Sequence, residues 1–260
     1  MANARTIDLN SDLGEGYGPW PMGNDADMLG LVTSANIACG GHAGDAETMF
    51  ATLTLARNNG VIVGAHPGYE DRPGFGRRII PMTLGEIERM VAAQIGALMG
   101  AAALAGVPVR YVKAHGALAN LAADDLDVAG AIARATRAVS RDLALLAISG
   151  TALESAGTAA GLQVYSEVFA DRAYLPNGRL VPRSHPDAMI HDADIAARRL
   201  IAFLANGMMP TLDGPAIPLG AHSVCVHGDS LGAVQIARHI RIAFGQAGIA
   251  LAAFLPSAPP

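Results

Sequence analysis

Short apolar, β-prone runs recur along the chain at residues 6–10, 35–40, 61–66, 109–115, 143–149, 163–170 and 223–227. Stretches with helical periodicity separate them. Thr83-Leu84-Gly85-Glu86 has the form of a capping box and opens an Ala-rich helix that ends near Gly106. Asp45 is placed to cap a helix ending at Asn59-Gly60, Asp192 one ending near Gly207, and Ser230 the last helix. Residues 116–142 read as a further helical stretch and 151–161 as a short one. Residues 208–222, rich in Pro and Gly, read as a surface excursion before the last strand, and the tail after Phe254 as a frayed end.

Strands alternating with helices predict parallel βαβ units. No glycine-rich dinucleotide fingerprint follows the first run, and polar residues recur at the end of nearly every strand. That distribution favours a seven-stranded (β/α) barrel with its site at the carboxyl-terminal face over an open, doubly wound sheet. No linker or fixed-period repeat interrupts the pattern, so residues 1–260 are expected to form a single domain.

Side chains alternate faces along a strand, and the polar residues fall on one of them. Asp8 and Asn10 share the inner face of the first strand, with Asp12 and Glu15 expected in the loop that follows. Lys113 and His115 point inward from the fourth strand, and Cys225 and His227 from the last, with Asp229 after it. Glu167 shares a face with Phe169, and Asp171 and Arg172 come next. Asn36 lies in the second strand, followed by His42, and His66 ends the third. Taken singly, a strand-end Asp is often a helix cap, which is the reading given to Asp45, and a lone His is often structural. Together they are harder to explain by stability, because burying charges costs several kcal/mol each unless they are paired.

Apolar residues make up 51% of the chain, enough for a large core, and the formal net charge is −5. The absence of a basic run argues against nucleic acid as a partner. No run of some 18 uncharged apolar residues suggests a membrane span. The first residues lack the apolar stretch of a secretory signal, and Cys39 and Cys225 read as buried, reduced thiols, so a cytoplasmic location is expected. Lys113 is the sole lysine.

The ordered motifs Asp8-Leu9-Asn10-Ser11-Asp12-Leu13-Gly14-Glu15, Ser34-Ala35-Asn36-Ile37-Ala38-Cys39-Gly40, His42-Ala43-Gly44-Asp45, Gly64-Ala65-His66-Pro67, Gly74-Phe75-Gly76-Arg77-Arg78, Val112-Lys113-Ala114-His115-Gly116-Ala117-Leu118, Glu167-Val168-Phe169-Ala170-Asp171-Arg172-Ala173-Tyr174 and Cys225-Val226-His227-Gly228-Asp229 resemble the LamB/YcsF family. They cover residues 6 to 245. The resemblance implies a seven-stranded barrel related to polysaccharide deacetylases. It also implies cleavage of 5-oxo-L-proline to L-glutamate, coupled to hydrolysis of ATP to ADP and phosphate, with partner subunits B and C. The chain departs from the family at Gly41, Ala114 and Ala119, where an aromatic, a Pro and a Tyr are usual, and at Asp187, where a Gly usually precedes Ala188. The first three bear on pocket shape and substrate range.

No GxxxxGK[ST] loop is present, so ATP and its Mg²⁺ are expected to be held mainly by the partners. Lys113 is assigned as an electrostatic clamp with Arg77 as helper, Asp12 or Glu15 as the base, and His66 and His115 as proton carriers. Glu167 completes the catalytic set. Asn10, Asn36, His42, Arg77, Asp171, Arg172, His227 and Asp229 are assigned to substrate or phosphate binding. No bound metal is expected: no local HxxxH or HExxH pair exists, and Lys113 would oppose a dication. The alternatives are a stand-alone metal-dependent amidohydrolase or deacetylase, using His42, His66, His115, His227 and Asp12 as the ligand pool, and a non-catalytic scaffold. A homo-oligomer is compatible with the sequence.

Overall fold

The computed structural model describes residues 5–229 and 232–256. In chain order its strands are β1 (Arg5–Leu13), β2 (Ser34–Ala38), β3 (Ile62–His66), β4 (Val109–Val112), β5 (Ala144–Ile148), β6 (Val164–Phe169), β7 (Met208–Thr211), β8 (Gly214–Pro218), β9 (Ser223–Cys225) and β10 (Ile249–Leu251). The helices are α1 (Asp25–Leu29), α2 (Ala46–Asn58), α3 (Leu84–Ala105), α4 (Gly116–Asp124), α5 (Leu126–Val139), α6 (Ala152–Ala159), α7 (Ala193–Asn206) and α8 (Ala233–Gln246).

β1 to β6 pair in sequence, β6 pairs with β9, and β9 returns to β1, so seven parallel strands close into a barrel as expected. β10 adds in parallel to the first residues of β1, below the point where β9 takes over at Asp8. Leu9, Val63, Ala65, Val112, Leu145, Val168 and Val224 are buried in the main apolar cluster, which they share with helix residues such as Leu53, Val91, Ile132 and Ile240. A smaller apolar group, Tyr111, Ala144, Leu146 and Leu255 with Phe254 and Tyr165 against it, forms a second cluster. Tyr111 lies against Gly64, where a Cβ would come within 2.2 Å of the ring, so β3 needs a glycine there.

The helix ends follow local chemistry. Asp45 accepts from the Thr48 N–H to start α2, Thr83 and Glu86 form the reciprocal capping box of α3, and Asp192 caps α7. Gly106 and Gly207, both at positive φ, end α3 and α7. α3 is long and apolar enough to cross a membrane by length and composition alone. Here it is a wall helix, with Ile87, Val91, Ile95 and Leu98 turned into the core.

Several expectations need correction. β1 runs on to Leu13 because β2 pairs with it from Asn10 onward, so Asp12 is a strand residue and not part of the loop. β4 stops at Val112, and Lys113 and His115 lie just beyond it, their N–H groups donating to the carbonyls of Ala65 and Pro67. The stretch 116–142 breaks at Asp125, whose extended backbone ends α4 and whose carboxylate accepts from the N–H groups of Asp127 and Val128 to start α5. Residues 208–222 do form a surface excursion, but an ordered one, in which β7 and β8 pair as an antiparallel hairpin. Leu255 is buried, so the chain stays packed past Phe254. α1 and β10 were not expected; each is too short to show a period. The capping role given to Ser230 lies outside the described residues.

Candidate functional site

The barrel lumen above the Tyr111 ring is polar. Tyr111 Oη donates to Asn36 Oδ1 at 2.6 Å, and Asn36 Nδ2 in turn donates to Asn10 Oδ1 and Asp12 Oδ1 at 2.7 and 2.8 Å. Lys113 Nζ sits at the centre, 2.9 Å from Asp12 Oδ1, 3.0 Å from Glu167 Oε2 and 3.2 Å from Cys225 Sγ. Asp8 lies deeper and accepts from the hydroxyls of Thr33, Ser34 and Ser223.

Burial by itself disfavours charge on every one of these groups. For Lys113 the carboxylates of Asp12 and Glu167 and the Cys225 thiol outweigh it and hold the ammonium well above its ordinary pKa. Asp12 also overcomes its burial, with His66 and Lys113 beside it, and stays well below the usual carboxylate range. Asp8 and Glu167 do not: burial pushes both up, Asp8 to about 6, although Lys113 offsets part of the effect at Glu167. Both cysteines are free and buried, with thiol pKa values raised by burial.

Beside the lysine lies a cluster of imidazoles. His66 Nε2 is 3.5 Å from Asp12 Oδ1 and 3.1 Å from His115 Nδ1. His42 stacks on His115 with ring centroids 3.6 Å apart, and its Nε2 lies 3.1 Å from Glu15 Oε1. Burial, reinforced by Asp12 and Asp229, raises the Glu15 carboxyl well above its ordinary range. Burial and neighbouring imidazoles push His42 and His115 well below theirs. The loop after β3 presses on this cluster. Phe75 adopts a left-handed φ of 54°, strained for a non-glycine residue, and its carbonyl accepts from His115 Nε2 at 2.8 Å.

A cavity of about 630 Å³ opens above these groups. Of the residues singled out in the sequence, Asp12, Glu15, His66, Arg77, Lys113, His115, Glu167, Arg172, His227 and Asp229 line it. Asn10, Asn36, His42 and Asp171, expected to bind substrate, are instead one layer behind. The first two brace Asp12 and Lys113, His42 backs Glu15, and Asp171 accepts from His227 Nδ1 at 2.9 Å. Arg77 Nη2 is 2.6 Å from Asp229 Oδ2 across the rim. Arg199 of α7 donates to the carbonyls of Phe169, Ala170 and Arg172, pinning the loop that carries Asp171 and Arg172.

Sequence reading missed Arg183 and Arg179, which also line the cavity. Arg183 lies far beyond the strand ends in a long excursion, where periodicity gives no signal. Its guanidinium, with burial, helps to push Arg172 down to about 10. Ala114 and Ala119 lie in the cavity wall, whereas Gly41 lies against the Gln94 amide, which occupies the space a side chain there would need.

The chain is 50% identical over 250 residues to the A subunit of 5-oxoprolinase from Gluconobacter oxydans, covering 96% of this chain and 98% of that protein. It is 52% identical to that of Nitrobacter hamburgensis over the same shares. The crystal structure of the lactam utilization protein from Thermus thermophilus superposes with a TM-score of 0.90 at 41% identity, over 95% of this chain and 99% of that one. A T48 deacetylase, 16% identical with a TM-score of 0.51 over 97% of this chain and 90% of that one, shares the barrel fold alone. The LamB/YcsF family pattern matches residues 7–258, from the start of β1 past β10, and with these relatives it makes the chain a member of the LamB/YcsF family.

Proposed function

We propose that this chain is the A subunit of an ATP-dependent 5-oxoprolinase that opens 5-oxo-L-proline to L-glutamate, working with partner subunits B and C. The observation that carries the reading is the near full-length likeness to proteins named as the A subunit of 5-oxoprolinase. The whole chain acts as one domain, in a compartment where Cys39 and Cys225 stay reduced.

A five-membered lactam is unstrained, and its amide is a poor electrophile. Coupling to ATP, held with Mg²⁺ mainly by the partners, makes the carbonyl carbon attackable by phosphorylating its oxygen. This chain then handles the activated ring. Two buried carboxyl groups with pKa values pushed in opposite directions are the mark of a base and an acid. Asp12, held ionised, takes the proton from the attacking water. Glu15, held protonated, supplies one to the ring nitrogen as the C–N bond breaks. Ring opening leaves γ-glutamyl phosphate, and a second water attacks its acyl carbon to give glutamate and release inorganic phosphate, with Lys113 balancing the charge that develops on the acyl oxygen in that attack. His66 and His115 line the way between the two carboxyls, with contacts of 3.5, 3.1 and 3.8 Å. Arg77, Arg172 and Arg183 hold the substrate carboxylate and the phosphoryl group. The cavity is roomy for a small lactam and extends along α4 past Ala119 and Asn120 toward Arg179, leaving space for that phosphoryl group.

The test is glutamate release from 5-oxoproline with ATP and Mg²⁺, using this chain alone, subunits B and C alone, and all three together. Glutamate is expected only in the full mixture. None in any mixture, with B and C shown to be competent beside another A subunit, removes the assignment.

A further inference from the structure

His66 and His115 meet through one nitrogen each, Nε2 of the first 3.1 Å from Nδ1 of the second. The opposite nitrogen of each ring is already committed. His66 Nδ1 lies 2.8 Å from the Lys113 carbonyl, and His115 Nε2 lies 2.8 Å from the Phe75 carbonyl. A carbonyl can only accept, so both outer nitrogens carry the hydrogen. In neutral rings the two facing nitrogens then present lone pairs to each other, an arrangement that repels unless something positive lies against both. Glu15 Oε1 borders the same space, 3.8 Å from His115 Nδ1 and 3.1 Å from His42 Nε2. A ligand atom from each of Glu15, His42, His66 and His115 lies within 4.8 Å of the other three, and all four residues are buried.

The geometry points to a divalent transition-metal site of the zinc class, held by Glu15, His42, His66 and His115, with Asp12 at its edge. A tetrahedral ion with bonds of about 2.0–2.1 Å has ligand–ligand edges of about 3.3 Å. The observed spacings of 3.1, 3.1 and 3.8 Å straddle that value. Imidazoles with a carboxylate suit zinc and its neighbours, and no thiolate belongs to the group. A metal-bound histidine characteristically donates its remote N–H to a carbonyl or carboxylate, which fixes the ring and aims the free nitrogen; His66 and His115 both do so. The objection that Lys113 repels a dication loses force in the folded chain, because its ammonium is matched on its own side by Asp12 and Glu167.

The site lies in the wall of the cavity proposed for the lactam, so its chemical role rests on that reading, although its existence does not; an ion there would hold Glu15 ionised and would replace Glu15 and the His66–His115 pair in the proton-supplying role given to them in the metal-free chain. An ion there would polarise a carbonyl oxygen or lower the pKa of a bound water.

The experiment is a titration of Co²⁺ into the chelator-treated full-length chain, without partners or substrate, followed by visible d–d absorption. Calorimetry with Zn²⁺ and metal analysis give the stoichiometry. One ion per chain is expected, with cobalt displaced by zinc. His66→Gln and His115→Gln should each weaken binding by roughly 100-fold or more. His185→Gln, at an exposed histidine outside the cluster, should leave it unchanged. No saturable binding, or undiminished one-to-one binding by both folded variants, overturns the proposal. Should a variant fail to fold, cadmium NMR of the unaltered chain with nitrogen-labelled histidine decides. Coupling of one cadmium to at least two imidazole nitrogens supports the site, and its absence removes it. A chain that binds no metal yet yields glutamate with B and C strikes out the ion alone. One that binds metal and yields no glutamate strikes out the activity alone.

Discussion

Around Lys113 every charge has an answer: two carboxylates contact the ammonium, Asn36 donates to the carboxylate of Asp12 while Asn10 accepts from Asn36 and Lys113, and three hydroxyls donate to Asp8 below. A few ångströms away the histidine end of the same lumen is left incomplete. Two imidazole nitrogens face each other, and among the described residues His42 Nδ1 is buried without a hydrogen-bond partner and the Glu15 carboxyl has His42 alone within hydrogen-bond reach. A buried polar network that is fully satisfied rigidifies, whereas a buried polar group left unpaired is costly. The lysine end positions, and the histidine end receives.

The largest break in that contrast comes from Lys113→Ala. It leaves Asp12 and Glu167 facing each other without their cation, at a cost of about 3–5 kcal/mol in urea unfolding. Glutamate formation by the assembled subunits should fall by about 10²–10³-fold. Near-normal stability would mean that the network is not held together by its charges.

Asp12→Asn and Glu15→Gln should each lower glutamate formation by about 10²-fold or more, yet differ in stability. Asp12→Asn loses charge-assisted bonds to Lys113 and should cost roughly 1–3 kcal/mol. Glu15→Gln removes a carboxyl that burial already disfavours in its charged form, so its unfolding midpoint at neutral pH should match or exceed that of the wild type. Equal destabilisation by both would erase the distinction between the two ends.

A smaller effect tests whether even the satisfied end carries a burial cost. Asp8 is raised by burial from 3.8 to about 6. The unfolded chain therefore releases this proton first. The stability contributed by Asp8 is complete below the ordinary carboxyl range and is lost as pH rises through about 6. Asp8→Asn removes that dependence, a difference on the order of 2–3 kcal/mol between acid and neutral unfolding midpoints. Parallel pH profiles for the two proteins would show that the hydroxyls of Thr33, Ser34 and Ser223 offset burial fully. The smallest expected change is Arg134→Ala, which breaks an exposed pair with Glu88 on the outer helices. It should move stability by less than about 0.5 kcal/mol, and a larger shift would mean that stability is not concentrated in the lumen.

Much of the ring was legible from periodicity. The strand runs, the caps at Asp45, Thr83 and Asp192, and the inward faces of Asn10, Lys113 and Glu167 follow from local rules. The break at Asp125 was not, because Ala-rich sequence on both sides favours helix and only the Asp carboxylate separates two helices. Arg183 escaped for a different reason: it stands in irregular chain, where no spacing ties a residue to a face.

The sequence by itself determined the alternation of strand and helix and which residue types reach the carboxyl ends. These follow from side-chain periodicity and capping, which act over a few residues. Only the tertiary structure decided which of those residues line the cavity and which stand behind, as Asn36, His42 and Asp171 do. It also decided that His66 and His115 each turn one ring nitrogen toward the other. That depends on carbonyls of Lys113 and Phe75, one from the adjacent strand end and one from a strained loop, and no local pattern in the chain encodes where a distant carbonyl will point.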